Sequence, residues 1–510
     1  MVWSVRGVLD HHHPFLSPMK LLSTFAAACL LQAAAVASTK PNVIFIYADD
    51  LGYGDIGCNG AKGVATPNVD KLASEGINFT DGHAASSTCT PSRYSIMTGQ
   101  YAFRQKGTGI LPGDAEMIIK PGSTTLPSIF KQAGYTTGAV GKWHLGLGSG
   151  KVDWNGEIKP SPNDIGFDES FIMAATGDRV PTVYIRNHRV ENLDPVDPIE
   201  VDYKKPFPGL PDGKKDRATL KMDWSAGHNM AVINGIGRIG YMKGGTKALW
   251  KDDQMSQDFT REALGFIEKH KDQPFFLYFA THNIHVPRVP NAMFLDKSTM
   301  GLRGASIAEF DWQVGQVMQT LDKLGLAENT MVILSSDNGP VIDDGYKDEA
   351  KEKLGDHKPA GPYNGGKYSL FEGGTRVPFI VRWKGKVKPG TSSAIVNQMD
   401  FAASFAALTG VKLAADAVPD SLNVMPALLG ESKTGREWLV EDSLPGNRLA
   451  YREGDWKLLL AGGRFPLQLF NLKDDLAEKK DLTAEHPEVV ERLTKRLEEI
   501  RKSERTRPQS

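Results

Sequence analysis

Reading from the N-terminus, the first segment with a decisive pattern is Pro41–Ala48, where apolar side chains follow one another without the alternation of a half-exposed strand. A continuous apolar run of this length fits a strand buried on both faces, as in a parallel sheet covered by helices. Similar runs recur at Phe275–Phe279 and Met331–Leu334, with shorter ones at Thr136–Val140 and Pro378–Val381. Between them the apolar positions take helical spacing at Asn68–Glu75, Thr125–Ala133, Gln257–Lys269 and Ile307–Leu324. Strands alternating with helices predict an α/β fold with a mostly parallel central sheet flanked by helices. From about Gly150 to Lys251 the pattern weakens into a Pro-, Gly- and Asp-rich stretch, expected as long excursions over the active-site end. After roughly Pro419 short antiparallel strands are expected at Leu449–Arg452, Trp456–Leu460 and Leu467–Phe470. A helix should follow near Pro487, with Val490, Leu493, Leu497 and Ile500 on one face. The chain is thus expected to divide into an upstream segment and export signal over 1–37, a catalytic domain over 38–425 and a C-terminal α+β subdomain over 426–510.

Composition changes this picture little. Sixty basic side chains against 61 acidic ones leave no charge bias of the kind that nucleic-acid or membrane-surface binding needs. The N-terminus adds more. From Met19, a lysine, an alanine-rich apolar stretch and Ala35-Val36-Ala37 read as a secretory signal cleaved after about Ala37, which implies a periplasmic or secreted protein. That stretch is too short for a membrane span, and no later segment is long and apolar enough to be one. Cleavage leaves Cys58 and Cys89, which are read as two separate thiols rather than a disulfide.

Two acidic pairs follow buried runs: Asp49-Asp50 after the first, and Asp337-Asn338 after Val332–Ser336. In open α/β sheets, ligand sites gather beyond the carboxyl ends of strands. Neighbouring strands would therefore converge three carboxylates and an amide oxygen, a set that suits Ca²⁺ or Mg²⁺ rather than zinc. Either pair alone also fits a carboxylate capping the turn after a strand.

Cys89-Thr90-Pro91-Ser92-Arg93, followed by Thr98-Gly99, resembles the signature of the formylglycine-dependent sulfatases, C-x-P-S-R running into a short helix. Pro91 suits a first helical turn, which puts residue 89 at a helix N-terminus that favours an anion, with Arg93 on the same face. Gly141-Lys142-Trp143-His144 resembles the family's G-K-W-H motif, and strand alternation would place Lys142 and His144 on one side. His285 matches the family's leaving-group histidine. His282, three residues earlier, is its competitor, in a spacing that also fits zinc, and is read as structural. Lys367 matches the second sulfate-binding lysine.

The resemblance runs from Pro41 to the C-terminal helix and is closest to bacterial enzymes similar to arylsulfatase A. It implies an alkaline-phosphatase-like fold and a formylglycine made from Cys89 by a maturation enzyme. It also implies a cation, Ca²⁺ with Mg²⁺ as the alternative, held by Asp49, Asp50, residue 89, Asp337 and Asn338. Sulfate contacts would come from Arg93, Lys142 and Lys367, and proton transfer from His144 and His285. The implied substrate is a sulfated small molecule or glycan. Asp178-Arg179-Val180-Pro181, His188 and His228 are candidates for substrate choice. Two other readings stay open: a phosphate or phosphonate ester hydrolase on the same fold, and an unmatured sulfated-glycan binder.

Overall fold

The computed structural model describes residue 7 and residues 40–443 and 448–508; the signal segment expected over 1–37 lies outside the described residues, apart from Gly7. At its centre is a ten-stranded sheet. In chain order the strands are β1 (Asn42–Ala48), β2 (Ile77–Phe79), β3 (Thr136–Lys142), β4 (Glu169–Met173), β5 (Tyr184–Arg186), β6 (Arg189–Val190), β7 (Phe275–Ala280), β8 (Thr330–Ser336), β9 (Phe379–Trp383) and β10 (Gly390–Ser392). Their spatial order is β10-β2-β9-β8-β1-β7-β3-β4-β5-β6. The middle of the sheet, β8-β1-β7-β3-β4, is wholly parallel. Antiparallel pairings appear only towards its edges, at β8/β9, β9/β2, β4/β5 and β5/β6. The run read as a doubly buried strand is one: Val43, Phe45 and Tyr47 of β1 enter one core, while Ile44, Ile46 and Ala48 enter the other.

Helices cover both faces. On the first, α2 (Cys89–Thr98), α3 (Leu126–Gln132) and α6 (Phe401–Thr409) contribute Ile96, Met97, Leu126, Phe130 and Phe405. The second is covered by α1 (Pro67–Ser74), α4 (Met255–Lys269) and α5 (Gly301–Lys323), through Val69, Leu72, Phe259, Phe266, Phe310 and Val317. Helix α5 begins six residues before its expected start at Ile307, because Arg303, Gly304 and Ser306 are buried too and leave no amphipathic stripe to read. The 150–251 stretch also differs from expectation. It supplies β4, β5 and β6 to the main sheet before becoming a wall of two- and three-residue strands, too short to leave a periodic signal.

Near the C-terminus, β11 (Trp438–Ser443), β12 (Arg448–Glu453), β13 (Trp456–Leu459) and β14 (Gln468–Asn471) form an antiparallel meander under α7 (Pro487–Lys502). Leu493, Leu497 and Ile500 of α7 are buried, and Val490 is half-buried. The core of this layer includes Ala85, Tyr101 and Met399, so it is continuous with the segment that leads into α2. Charge also joins the layers. The Lys457 ammonium is fully buried, 2.8 Å from Glu372 and 2.9 Å from Glu441, and Arg452 is 2.7 Å from Asp81.

Asp442 of β11 contacts the run before Cys89 directly. Its carbonyl accepts from the Ser87 N–H at 3.0 Å and from the Ser86 hydroxyl at 3.2 Å. Burial pushes its own carboxyl up to about 7, with Glu441 adding to the effect and a Ser86 hydrogen bond opposing it. The unfolded carboxyl ionises near 3.8, so between that value and 7 unfolding releases a proton and rising pH destabilises the fold. Asp442→Asn removes this slope. Relative to the parent, the variant should gain up to about 4 kcal/mol between pH 4 and pH 8, read from urea unfolding at the two pH values.

A buried charge cluster at the carboxyl ends of the central strands

Strand register builds the site. β1 and β8 pair in parallel with Ala48 opposite Ser336, so the next residues, Asp49-Asp50 and Asp337-Asn338, leave the sheet side by side. The Asp337 N–H donates to the Ala48 carbonyl at 3.2 Å, and the Asp50 N–H to Asp337 Oδ1 at 3.3 Å. On the other side, Tyr47 lies opposite Ala280 of β7, and the chain beyond it docks on the same turn through Ile284 N–H to the Asp49 carbonyl at 2.6 Å. That contact delivers His285. Next in the sheet, β3 ends at Lys142.

All three carboxylates are fully buried, and each has a cation. Lys142 Nζ lies 2.7 Å from Asp49 Oδ2 and 3.6 Å from Asp337 Oδ2. Arg93 donates to Asp337 Oδ2 through Nε at 3.0 Å and Nη2 at 2.8 Å, and its Nη1 reaches the Lys142 carbonyl and the Tyr278 hydroxyl. Lys367 Nζ bridges Asp50 Oδ2 at 2.9 Å and Asp344 Oδ2 at 2.8 Å. Burial opposes the charge on Asp337, but Arg93, then Lys142 and Lys367, outweigh it and hold that carboxyl below its ordinary range. Burial wins at Asp49, pushing it well up despite Lys142.

Cys89 stands at the N-terminus of α2, which begins at that residue with Thr88 as its cap. Its side chain is buried, and burial pushes the thiol up despite Lys142 and Lys367 nearby. Among the described residues, Cys58 and Cys89 are both free and form no bridge.

The alternation expected across Gly141–His144 does not hold. β3 stops at Lys142 after Gly141 takes φ +107°, and His144 takes φ +57°, so a left-handed break rather than strand alternation aims the imidazole. Its Nε2 contacts the Leu111 carbonyl at 2.9 Å. That contact assigns the proton to Nε2 and leaves Nδ1 as a buried lone pair with no hydrogen-bond partner. Burial, then Lys142 and Arg179, hold His144 well below its ordinary range. His285 is neutral for a similar reason, with Nδ1 on the Val286 carbonyl at 2.6 Å and Nε2 3.8 Å from Asp50. His282 accepts the Gly177 N–H on Nε2 at 3.0 Å, a structural contact.

The residues fit a hard cation. Asp49 Oδ1 and Asn338 Oδ1 are buried oxygens with no donor. Around them the donor set is dominated by carboxylate and amide oxygen. Asp49, Asp50 and His285 each bring a ligand atom within 4.8 Å of the others. The similar cluster Asp81, His83 and Glu372 is instead saturated by Arg376, Arg452 and Lys457.

Of the substrate-choice candidates, Asp178 and His228 come together beside the site. Asp178 Oδ2 lies 2.8 Å from His228 Nε2, and Arg179 Nη1 lies 2.8 Å from Asp178. His188 does not join them; it binds Ser161 and the Ile158 carbonyl at the turn between β5 and β6. Asp344 and the Leu111 carbonyl were not singled out. Both sit in loops without periodicity, and only the fold brings them here.

The sulfatase family model matches residues 41–411. The chain belongs to the sulfatase family. It is 48% identical over 480 residues to the N-acetylgalactosamine-6-O-sulfatase of Bacteroides thetaiotaomicron, an alignment covering 91% of this chain and 94% of that enzyme. Human arylsulfatase A is 30% identical over 417 residues, 80% of this chain and 72% of that one. A solved B. thetaiotaomicron sulfatase, described in connection with the metabolism of multiple glycosaminoglycans, superposes with a TM-score of 0.90 at 48% identity. It covers 91% of this chain and 100% of that structure. This sulfatase is thus an enzyme of sulfate-ester hydrolysis with the family's fold. Its charge cluster is also structural. Arg93→Met, which takes from the buried Asp337 carboxylate both of its hydrogen bonds from the guanidinium, should cost about 3–5 kcal/mol in urea unfolding.

Proposed function

We propose that this sulfatase removes a 6-O-sulfate from an N-acetylgalactosamine-type sugar, using formylglycine formed from Cys89 and a bound Ca²⁺ or Mg²⁺. The observation that carries the reading is the buried Cys89 at a helix N-terminus, with Lys142 and Lys367 near enough to act on its thiol. The 48% identity to an N-acetylgalactosamine-6-O-sulfatase supports the substrate.

Asp49, Asp50, Asp337 and Asn338 would hold the cation, with residue 89 beside it. Bound there, it would add positive charge against the sulfate oxygens and acidify a hydroxyl at residue 89. A formylglycine hydrate at residue 89 would supply one hydroxyl to attack sulfur and a second whose deprotonation would release sulfate.

The chain's own groups do the rest. The α2 N-terminus, Lys142 and Lys367 meet the sulfate oxygens, and Arg93 fixes the Asp337 carboxylate and the base of Lys142 while adding its charge. These positions are set before substrate arrives, so little reorganisation accompanies charge movement. His144 takes a proton from residue 89 on Nδ1, the nitrogen left open by the Leu111 contact. His285 delivers a proton to the sugar oxygen from Nε2, since Val286 already occupies Nδ1. Burial, then Lys367 and Lys142, keep this imidazole neutral; a bound negative sulfate would offset the two cations and let Nε2 take up the proton it delivers. Asp178, oriented by Arg179 and His228, accepts from a sugar hydroxyl. Export by the N-terminal signal and modification by a maturation enzyme complete the proposal.

Cys89→Ala should abolish sulfate release while leaving the thermal unfolding temperature unchanged. Peptide mass spectrometry across Ser86–Arg93 of the native protein should give the mass of formylglycine. An unmodified thiol in active protein would sink the scheme. Asp178→Asn should lower kcat/KM for the sugar sulfate by about tenfold to a hundredfold, with a smaller loss on an aryl sulfate that has no ring hydroxyl to present.

A further inference from the structure

Tyr368 follows the sulfate-site lysine, and nothing so far gives it work. Its position is unusual in three respects. It holds φ +72°, a left-handed backbone that a bulky residue rarely adopts. It is exposed, at 40%, although Lys367 before it and Ser87 against its backbone are buried. Its hydroxyl donates to Asp344, 3.0 Å from Oδ1 and 3.3 Å from Oδ2, which stops the ring from swinging away.

The ring is also tied to the reacting centre. The Tyr368 N–H donates to the Ser87 carbonyl at 2.8 Å, two residues before Cys89. Lys367 Nζ lies over the ring, 5.3 Å from its centroid. The ammonium therefore ties the ring to Asp50 and Asp344, which it contacts itself. A left-handed backbone, a hydroxyl tether and a main-chain bond to the nucleophile segment together hold one exposed aromatic surface at a set distance from residue 89. Strain of this kind persists where the surroundings over-determine it, which is common at ligand-binding positions.

We propose that Tyr368 is the platform for the sugar ring that carries the sulfate. The inference rests on the proposed sulfatase reading and names how the leaving group, rather than the sulfate, is held. A pyranose has a face of C–H bonds whose hydrogens are slightly positive. An aromatic ring has a negative face, and the two fit over a surface that a charged or hydroxyl-lined pocket cannot offer. Asp344, already accepting from Tyr368 and Lys367, lies at the edge of that platform, 18% exposed, where a hydroxyl of a stacked sugar can reach it. Tyr368 acts by positioning the ring, so the chemistry at sulfur does not pass through it.

Two variants and two ligands test this. Binding of N-acetylgalactosamine and of inorganic sulfate is measured by titration calorimetry on the parent, Tyr368→Ala and Tyr368→Phe, beside KM and kcat on the 6-O-sulfated sugar. Tyr368→Ala is expected to weaken sugar binding and raise KM by about tenfold or more, with inorganic sulfate bound as in the parent. Tyr368→Phe keeps the ring face and should restore most of that loss. If Tyr368→Ala weakens sulfate as much as sugar, the residue merely supports the site and the platform is refuted. Unchanged sugar binding refutes it as well. A parent that binds the sugar through Tyr368 yet releases no sulfate would overturn the sulfatase reading and leave the platform standing.

Discussion

Everything in this protein depends on making a cluster of buried carboxylates tolerable. Asp49, Asp50 and Asp337 leave adjacent parallel strands at the same level, and none reaches solvent. Such a group would be prohibitive unless each charge met a cation at hydrogen-bond distance. Arg93, Lys142 and Lys367 supply those cations from three separate parts of the chain, each brought in by a different element. The sheet must therefore be built with its strands in one register, α2 must start at residue 89, and the loop after β8 must return to bring Lys367. The cations that satisfy the carboxylates are also the ones from which the proposed sulfate site would draw its positive charge.

Much of this was legible in the sequence because it depends on local, strong signals. Uninterrupted apolar runs marked β1, β7 and β8, and the residues directly after such strands were bound to converge. Short motifs marked Cys89, Arg93, Lys142, His144, His285 and Lys367. What could not be read depends on tertiary context. The aim of His144 comes from the break after Gly141 rather than from strand alternation. Asp344 and the Leu111 carbonyl sit in loops with no period. The short strands of residues 150–251 are held by contacts to the rest of the molecule, so their sequence carries no pattern of its own.

The C-terminal layer is another case where function and packing are not separable. Its core includes Ala85 and Tyr101, which flank α2, and its buried Lys457 neutralises Glu372 of the segment just beyond Lys367. The meander thus packs against both the segment that leads into α2 and the segment just beyond Lys367, and the positions of residue 89 and of Lys367 are linked through it.

The Ser87 main chain has a consequence for how the molecule is made. Its two hydrogen-bond partners, Tyr368 and Asp442, lie hundreds of residues later. Asp337, which anchors Arg93, is equally distant in sequence. As the chain is synthesised from its N-terminus, residue 89 emerges long before any of these groups exists, and the turn that will enclose it has nothing to fold against. The cysteine therefore spends much of synthesis as part of an open peptide. Any enzyme that modifies it has that interval in which to work, and folding closes it.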